Sequence, residues 1–135
     1  PCAYPVFLKD EVRFYYGGSD YLHYGWRNGY FCLATLRPDG FAGYEQKSKA
    51  ISAIITTADI PYTGQDLRIT ADVLNDGWIK VAMLDGEGKY LTSAEPVTAT
   101  VTDSPLLFPD IVKSGNIRIK FTFEKAKLYS FTLVD

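Results

Sequence analysis

In the run LRITADVLNDGWIKVAM, residues 67–83, Leu67, Ile69, Ala71 and Val73 alternate with Arg68, Thr70 and Asp72, and Ile79, Val81 and Met83 resume the same period beyond Asn75-Asp76-Gly77. A period of two puts the apolar set on one face of a β-strand and the polar set on the other. The two runs share parity, so opposed residues must sum to an even number. A three-residue Asn75-Asp76-Gly77 loop with Gly77 in the left-handed region meets that condition, whereas a two-residue loop does not. The expected hairpin sets Val73 opposite Ile79 and Ala71 opposite Val81 on the inside. Outside, it sets Asp72 opposite Lys80, a cross-strand ion pair, and Leu74 opposite Trp78.

The same pattern extends in both directions. Ile117, Ile119, Phe121 and Phe123 alternate with Arg118, Lys120, Thr122 and Glu124, and Tyr129, Phe131 and Leu133 are expected to return as a hairpin partner after Lys125 to Lys127. Asp85-Gly86-Glu87-Gly88 leads to a strand at 89–92, and 96–102 forms another with Thr98, Thr100 and Thr102 on its polar side. Nearer the start, Val6 to Leu8 and Val12 to Tyr16 form a hairpin about Lys9-Asp10, ended by Gly17 and Gly18, and Tyr30 to Leu36 follows the Asn28-Gly29 turn. Short strands at this spacing, with no credible helix, predict an all-β fold, an antiparallel sandwich or jelly roll. Residues 1–135 are expected to form a single β-sandwich domain, with the main internal boundary at the polar stretch Gln46 to Lys49.

One segment breaks the pattern. Phe14 to Phe31, FYYGGSDYLHYGWRNGYF, concentrates aromatic side chains around the only histidine, His23, and its middle has neither period. Phe14, Tyr16 and Phe31 belong to strands and are expected in the core. The loop between them holds Asp20, Tyr21, His23, Tyr24, Trp26 and Arg27, flat rings alternating with groups able to read hydroxyls. A second aromatic patch is expected at Trp78 on the outer sheet face, with Arg68, Asp72 and Lys80 around it. Arg68 and Lys80 suit an acidic polysaccharide, with part of that charge neutralised by Asp72. For each patch the alternative is packing, Tyr24 and Trp26 covering a sheet or docking on another domain and Trp78 shielding Leu74.

Other function classes find little support. A net charge of −2 with scattered Lys and Arg supplies no basic footprint for nucleic acid. No apolar stretch approaches the roughly 18 residues of a membrane helix. No nucleophile elbow, phosphate loop or zinc spacing appears, and no carboxylate pair is singled out for glycoside hydrolysis, so the chain is read as non-catalytic. No cofactor is expected. Calcium leaves no obligatory sequence signature, and Asp10, Asp39 and Asp85 sit at turns where an Asx turn accounts for them, so no metal ligand is named. Cys2 and Cys32 are either bridged or two free thiols beside strand residues.

Asp10-Glu11-Val12-Arg13-Phe14-Tyr15-Tyr16-Gly17-Gly18, with Leu33-Ala34-Thr35-Leu36-Arg37-Pro38-Asp39-Gly40-Phe41, resembles the end of secreted bacterial β-propeller glycosidase-like proteins related to glycoside hydrolase families 32 and 43. Leu84-Asp85-Gly86-Glu87-Gly88-Lys89 and Lys127-Leu128-Tyr129-Ser130-Phe131 look like the β-sandwich that follows the propeller. The resemblance implies that residues 1–46 correspond to terminal propeller strands and 47–135 to the sandwich proper. It further implies a secreted bacterial protein with an upstream catalytic domain, of which this region is a non-catalytic part. The expectation is a carbohydrate-binding module that takes a polysaccharide or oligosaccharide ligand. The alternative is a structural sandwich that braces the upstream propeller and binds no sugar.

Overall fold

The computed structural model describes residues 4–110 and 112–135; a Cys2–Cys32 bridge therefore lies outside the described residues. Among the described residues all ten elements are strands and all their pairings are antiparallel, as the alternating sequence predicts. The chain divides into two compact units, 1–41 and 42–135. The Gln46 to Lys49 stretch lies inside the second.

In the first unit, β1 (Val6–Phe7), β2 (Val12–Ser19) and β3 (Gly29–Leu36) form one sheet in that order. The expected hairpin is present, with Phe7 paired to Val12 and Leu8 N donating to Glu11 O at 2.9 Å. Gly17 and Gly18 do not end β2, which continues opposite Phe31 and Tyr30 to Ser19. The expected burial of Phe14, Tyr16 and Phe31 is also corrected: Phe14 is half-buried, Tyr16 exposed and Phe31 75% exposed. Phe31 stacks instead on Tyr15 across the strands at 5.4 Å, a diagonal neighbour on the same sheet face. Among the described residues of this unit, Val12 is the one fully buried apolar side chain.

The second unit contains β4 (Tyr44–Glu45), β5 (Ala53–Thr56), β6 (Ile60–Tyr62), β7 (Asp66–Asp85), β8 (Tyr90–Ser93), β9 (Val101–Pro105) and β10 (Gly115–Val134). Neither expected hairpin within 67–83 or 117–133 forms. β7 and β10 are each continuous and run antiparallel over their whole length, Ile117 opposite Asp85, Phe123 opposite Ile79, Ala126 opposite Val73 and Leu133 opposite Leu67. Parity correctly assigned the faces of 67–73, 79–83 and 117–123, but it is equally satisfied when the partner of each apolar run lies on another strand. It fails at Tyr129, where a bulge after Leu128 leaves Ala126 and Leu128 in the core and turns Tyr129 to Asp72 on the outer side. The left-handed residues also differ from expectation: Asp76 at φ 60 and Lys125 at φ 47.

These residues mark a sharp bend. Between the pairs Val73–Ala126 and Trp78–Glu124, β10 spends only Lys125 whereas β7 spends 74–77. A straight strand would hold Phe121 and Phe131 roughly 33 Å apart. Their ring centroids are 5.5 Å apart, so β10 folds back over itself. Its neighbours bend with it. Segment 90–105 follows the outer edge of β7, through Thr92 opposite Met83, a bridge from Val97 to Ile79, and Val101 opposite Ala71. On the far side of β10, β4 pairs with the half after Lys125, while β5 and β6 pair with the half before it.

The result is a two-layered sandwich in which the long strands pass from one layer to the other. One layer holds 66–73, β9, 126–134 and β4; its partner holds 78–85, β8, 115–124, β5 and β6. Leu67, Ile69, Ala71, Ile79, Val81, Met83, Ile117, Ile119, Phe121 and Phe123, all at most 1% exposed, close a single core between them. Polar groups seal the corners: Lys125 N donates to Gln46 Oε1, Gln46 Nε2 donates to Ile51 O at 2.9 Å, and Val73 N donates to Thr100 Oγ1 at 3.0 Å. The Gln46 stretch thus forms a corner of the sandwich.

Candidate functional site

Even-numbered residues of β7 face outward, so Trp78, Lys80, Ala82 and Leu84 form a row about 20 Å long on the outer face of the second layer. The register sets Glu124, Thr122, Lys120 and Arg118 beside them in turn. On the other flank Ser93 lies opposite Ala82, and Tyr90 opposite Leu84. Ala82 is the small member of this row. A groove of about 810 Å³ lies along this face, lined by Trp78 and Tyr90 toward its two ends, by Lys80, Lys120, Ser93 and Thr122 between them, and also by Ala82, Glu95 and Pro96.

The groups around the groove are oriented by their neighbours. Lys80 Nζ stands 5.0 Å from the centroid of the Trp78 ring, a cation–π contact. The Tyr90 hydroxyl donates to Ser93 Oγ at 3.0 Å, leaving a ring that is 59% exposed. Arg118 Nε donates to Asp59 Oδ1, and Ser52 Oγ donates to Glu124 Oε1, so both of these charged groups are engaged by strand neighbours.

Arg68 and Asp72, expected around Trp78, lie elsewhere. Both belong to the other layer, where Arg68 Nε donates to Asp103 O at 3.0 Å and Asp72 faces Lys127 and accepts from the Tyr129 hydroxyl at 2.6 Å. Asp72 does not neutralise Lys80, because the hairpin that would oppose them does not form. Sequence reasoning missed Tyr90 and Lys120. The outward parity of Lys120 was legible, but its proximity to Trp78 follows from the β7–β10 register.

In the first unit, the loop 20–28 is built around Asp20. Its carboxylate accepts from Asn28 N at 2.9 Å, from Asn28 Nδ2 at 2.7 Å and from the Tyr30 hydroxyl at 3.4 Å. These bonds, foremost that from the Asn28 side chain, hold its pKa below the usual carboxylate value. Arg27 Nη1 reaches back to His23 O at 3.2 Å and His23 Nδ1 at 3.3 Å. Asp20, His23 and Arg27 thus shape the loop, while Tyr21, Tyr24 and Trp26 are 65%, 79% and 89% exposed. A group whose folded pKa is depressed stabilises above its unfolded value and loses that contribution as pH falls through the folded one. The Asn28 amide resonance is accordingly expected to stay in its bonded position through the ordinary carboxylate range and to move only at lower pH. In Asp20→Ala it should sit at the released position throughout; a bonded shift there would exclude the Asp20 closure.

No family model, curated protein or solved structure matches this chain. Its function has to be read from its own residues. Among the described residues no three His, Cys, Asp or Glu side chains are grouped to hold a metal ion, and Asp85 accepts from Glu87 N and Lys89 N at 3.0 and 2.8 Å in an Asx turn. Nor, among the described residues, is any helix long and apolar enough to cross a membrane.

Proposed function

We propose that this region is a non-catalytic carbohydrate-binding module of a larger secreted, bacterial carbohydrate-active protein, and that it binds a polysaccharide along the outer-face groove. One observation carries the reading: the groove has an aromatic ring toward each end and polar side chains between them. Rings with polar surroundings suit a sugar, whose apolar faces pack on aromatics while its hydroxyls take hydrogen bonds. The exposed rings of Tyr21, Tyr24 and Trp26 on the first unit offer a further contact of the same chemistry.

Affinity electrophoresis through gels containing a panel of plant, fungal and bacterial polysaccharides tests this. Retention on at least one glycan is expected, with Trp78→Ala weakening it about tenfold or more. Tyr90→Ala, at an exposed position, should weaken retention with the melting temperature near wild type. Trp26→Ala should do so more mildly, again without loss of fold. Absence of retention on every glycan would refute the proposal.

A second reading is that the region braces an upstream catalytic β-propeller, with binding sugar no part of its role. The first unit favours it: β3 runs from Gly29 to Leu36 without a charge or proline, and Tyr30, Phe31 and Leu33 are 52%, 75% and 50% exposed. Edge strands of this kind are usually guarded or covered. Under this reading no glycan is retained and an upstream domain lacking this region loses stability.

A further inference from the structure

The charge of the groove narrows the class of sugar. Lys80 and Lys120 both line it, and among the described residues neither has a carboxylate within ion-pair distance. Of the nearby carboxylates, Asp59 holds Arg118 and Asp72 belongs to the opposite layer, while Glu124, beside Trp78, accepts from Ser52 and keeps its charge without forming an ion pair with either lysine. Among the described residues Glu95 is the one acidic side chain lining the groove, so the lining itself carries two cations against one anion.

A neutral sugar would need only hydroxyl-bonding groups here, which Ser93, Thr122 and Tyr90 already supply. Two lysines held over a groove of a protein with net charge −2 are a local reversal of sign. Lys120 lies across the strand from Ala82, and Lys80 precedes Ala82 by two on the same outward row with its ammonium over the Trp78 ring, so the two lysines border the groove from adjacent strands. We propose that the groove selects an anionic glycan, with Lys80 and Lys120 pairing to the carboxylate or sulfate groups of successive sugar residues while Trp78 and Tyr90 pack on the rings. The inference rests on the carbohydrate reading of the groove.

The full chain would be run in gels containing polygalacturonate, carrageenan or neutral galactan, the first two separating carboxylate from sulfate as the source of charge. Retention is expected on an anionic gel above galactan, despite a net charge that would repel the protein, and it should fall as sodium chloride is raised. Lys120→Gln should weaken that retention about fivefold, and Lys120→Arg should restore most of it. Lys120 is half-exposed and on the outer face, so loss of fold should not confuse the result. Equal retention on galactan, indifferent to salt and to Lys120→Gln, would overturn the anionic preference and leave the carbohydrate reading standing. No retention on any gel would bring down both.

Discussion

Phe121→Ala is expected to cost about 3–5 kcal/mol, the range for deleting a buried aromatic ring from a packed core. Phe121 is 1% exposed and pairs with Val81 on one side and Ile55 on the other, so the space it vacates is walled by strands already hydrogen-bonded in register. Such walls relax little, which places the cost toward the upper end. The ring also touches Phe131 across the core, joining the two layers. Phe131 is only half-buried, so Phe131→Ala should cost less, and the double variant should show a coupling of about 1 kcal/mol. Urea denaturation of the full chain, followed by the transition of the 42–135 unit, measures all three. A loss below about 1 kcal/mol for Phe121→Ala would mean that the layers do not share the core described above.

The faces of these strands were legible because burial imposes a period of two on any half-buried strand, whatever its partner. Partners were not legible. Leu67 to Val73 and Ile79 to Met83 present the same parity whether they pair with each other or both pair with β10, and Asn75-Asp76-Gly77 has the composition of a hairpin turn. What separates the two outcomes is long-range: β10 supplies a second run of twenty residues with matching apolar positions and its own bend at Lys125. The candidate site inherited that ambiguity. Trp78 and Lys80 were found because each is legible alone, but Arg68 and Asp72 were attached to them by a hairpin that does not exist, and Lys120 and Tyr90 were missed because only the true register brings them alongside. In the loop, Asp20 and Arg27 looked like ligand-reading groups, since the sequence alone does not reveal that Asn28 and His23 lie within hydrogen-bonding reach.

Gly77→Ala is expected to destabilise the second unit by about 3 kcal/mol or more, through overpacking against groups with no room to move. The reading of Gly77 as a left-handed turn residue would predict a conformational penalty. The structure gives a different cause: Asp76 takes the positive φ, and Gly77 is buried where the two bent strands approach closest. A Cβ there would meet Leu74 O at 2.9 Å and Glu124 O at 3.1 Å, and would lie closer still to Lys125 O. These are backbone atoms of β7 and β10 at the corner, so relief requires the strands to part. Gly86→Ala in the same unit would meet nothing nearer than 3.8 Å and should be close to neutral, which separates a packing cost from a general cost of removing glycine. The corner also positions the groove. Trp78 directly follows Gly77 and faces Glu124, one of the carbonyl-bearing residues a methyl would displace. Whatever fraction of Gly77→Ala remains folded should therefore bind glycan more weakly than wild type, as Gly86→Ala should not. Wild-type stability in Gly77→Ala would show that the two strands do not approach at this corner as closely as described, and that Trp78 is positioned by other means.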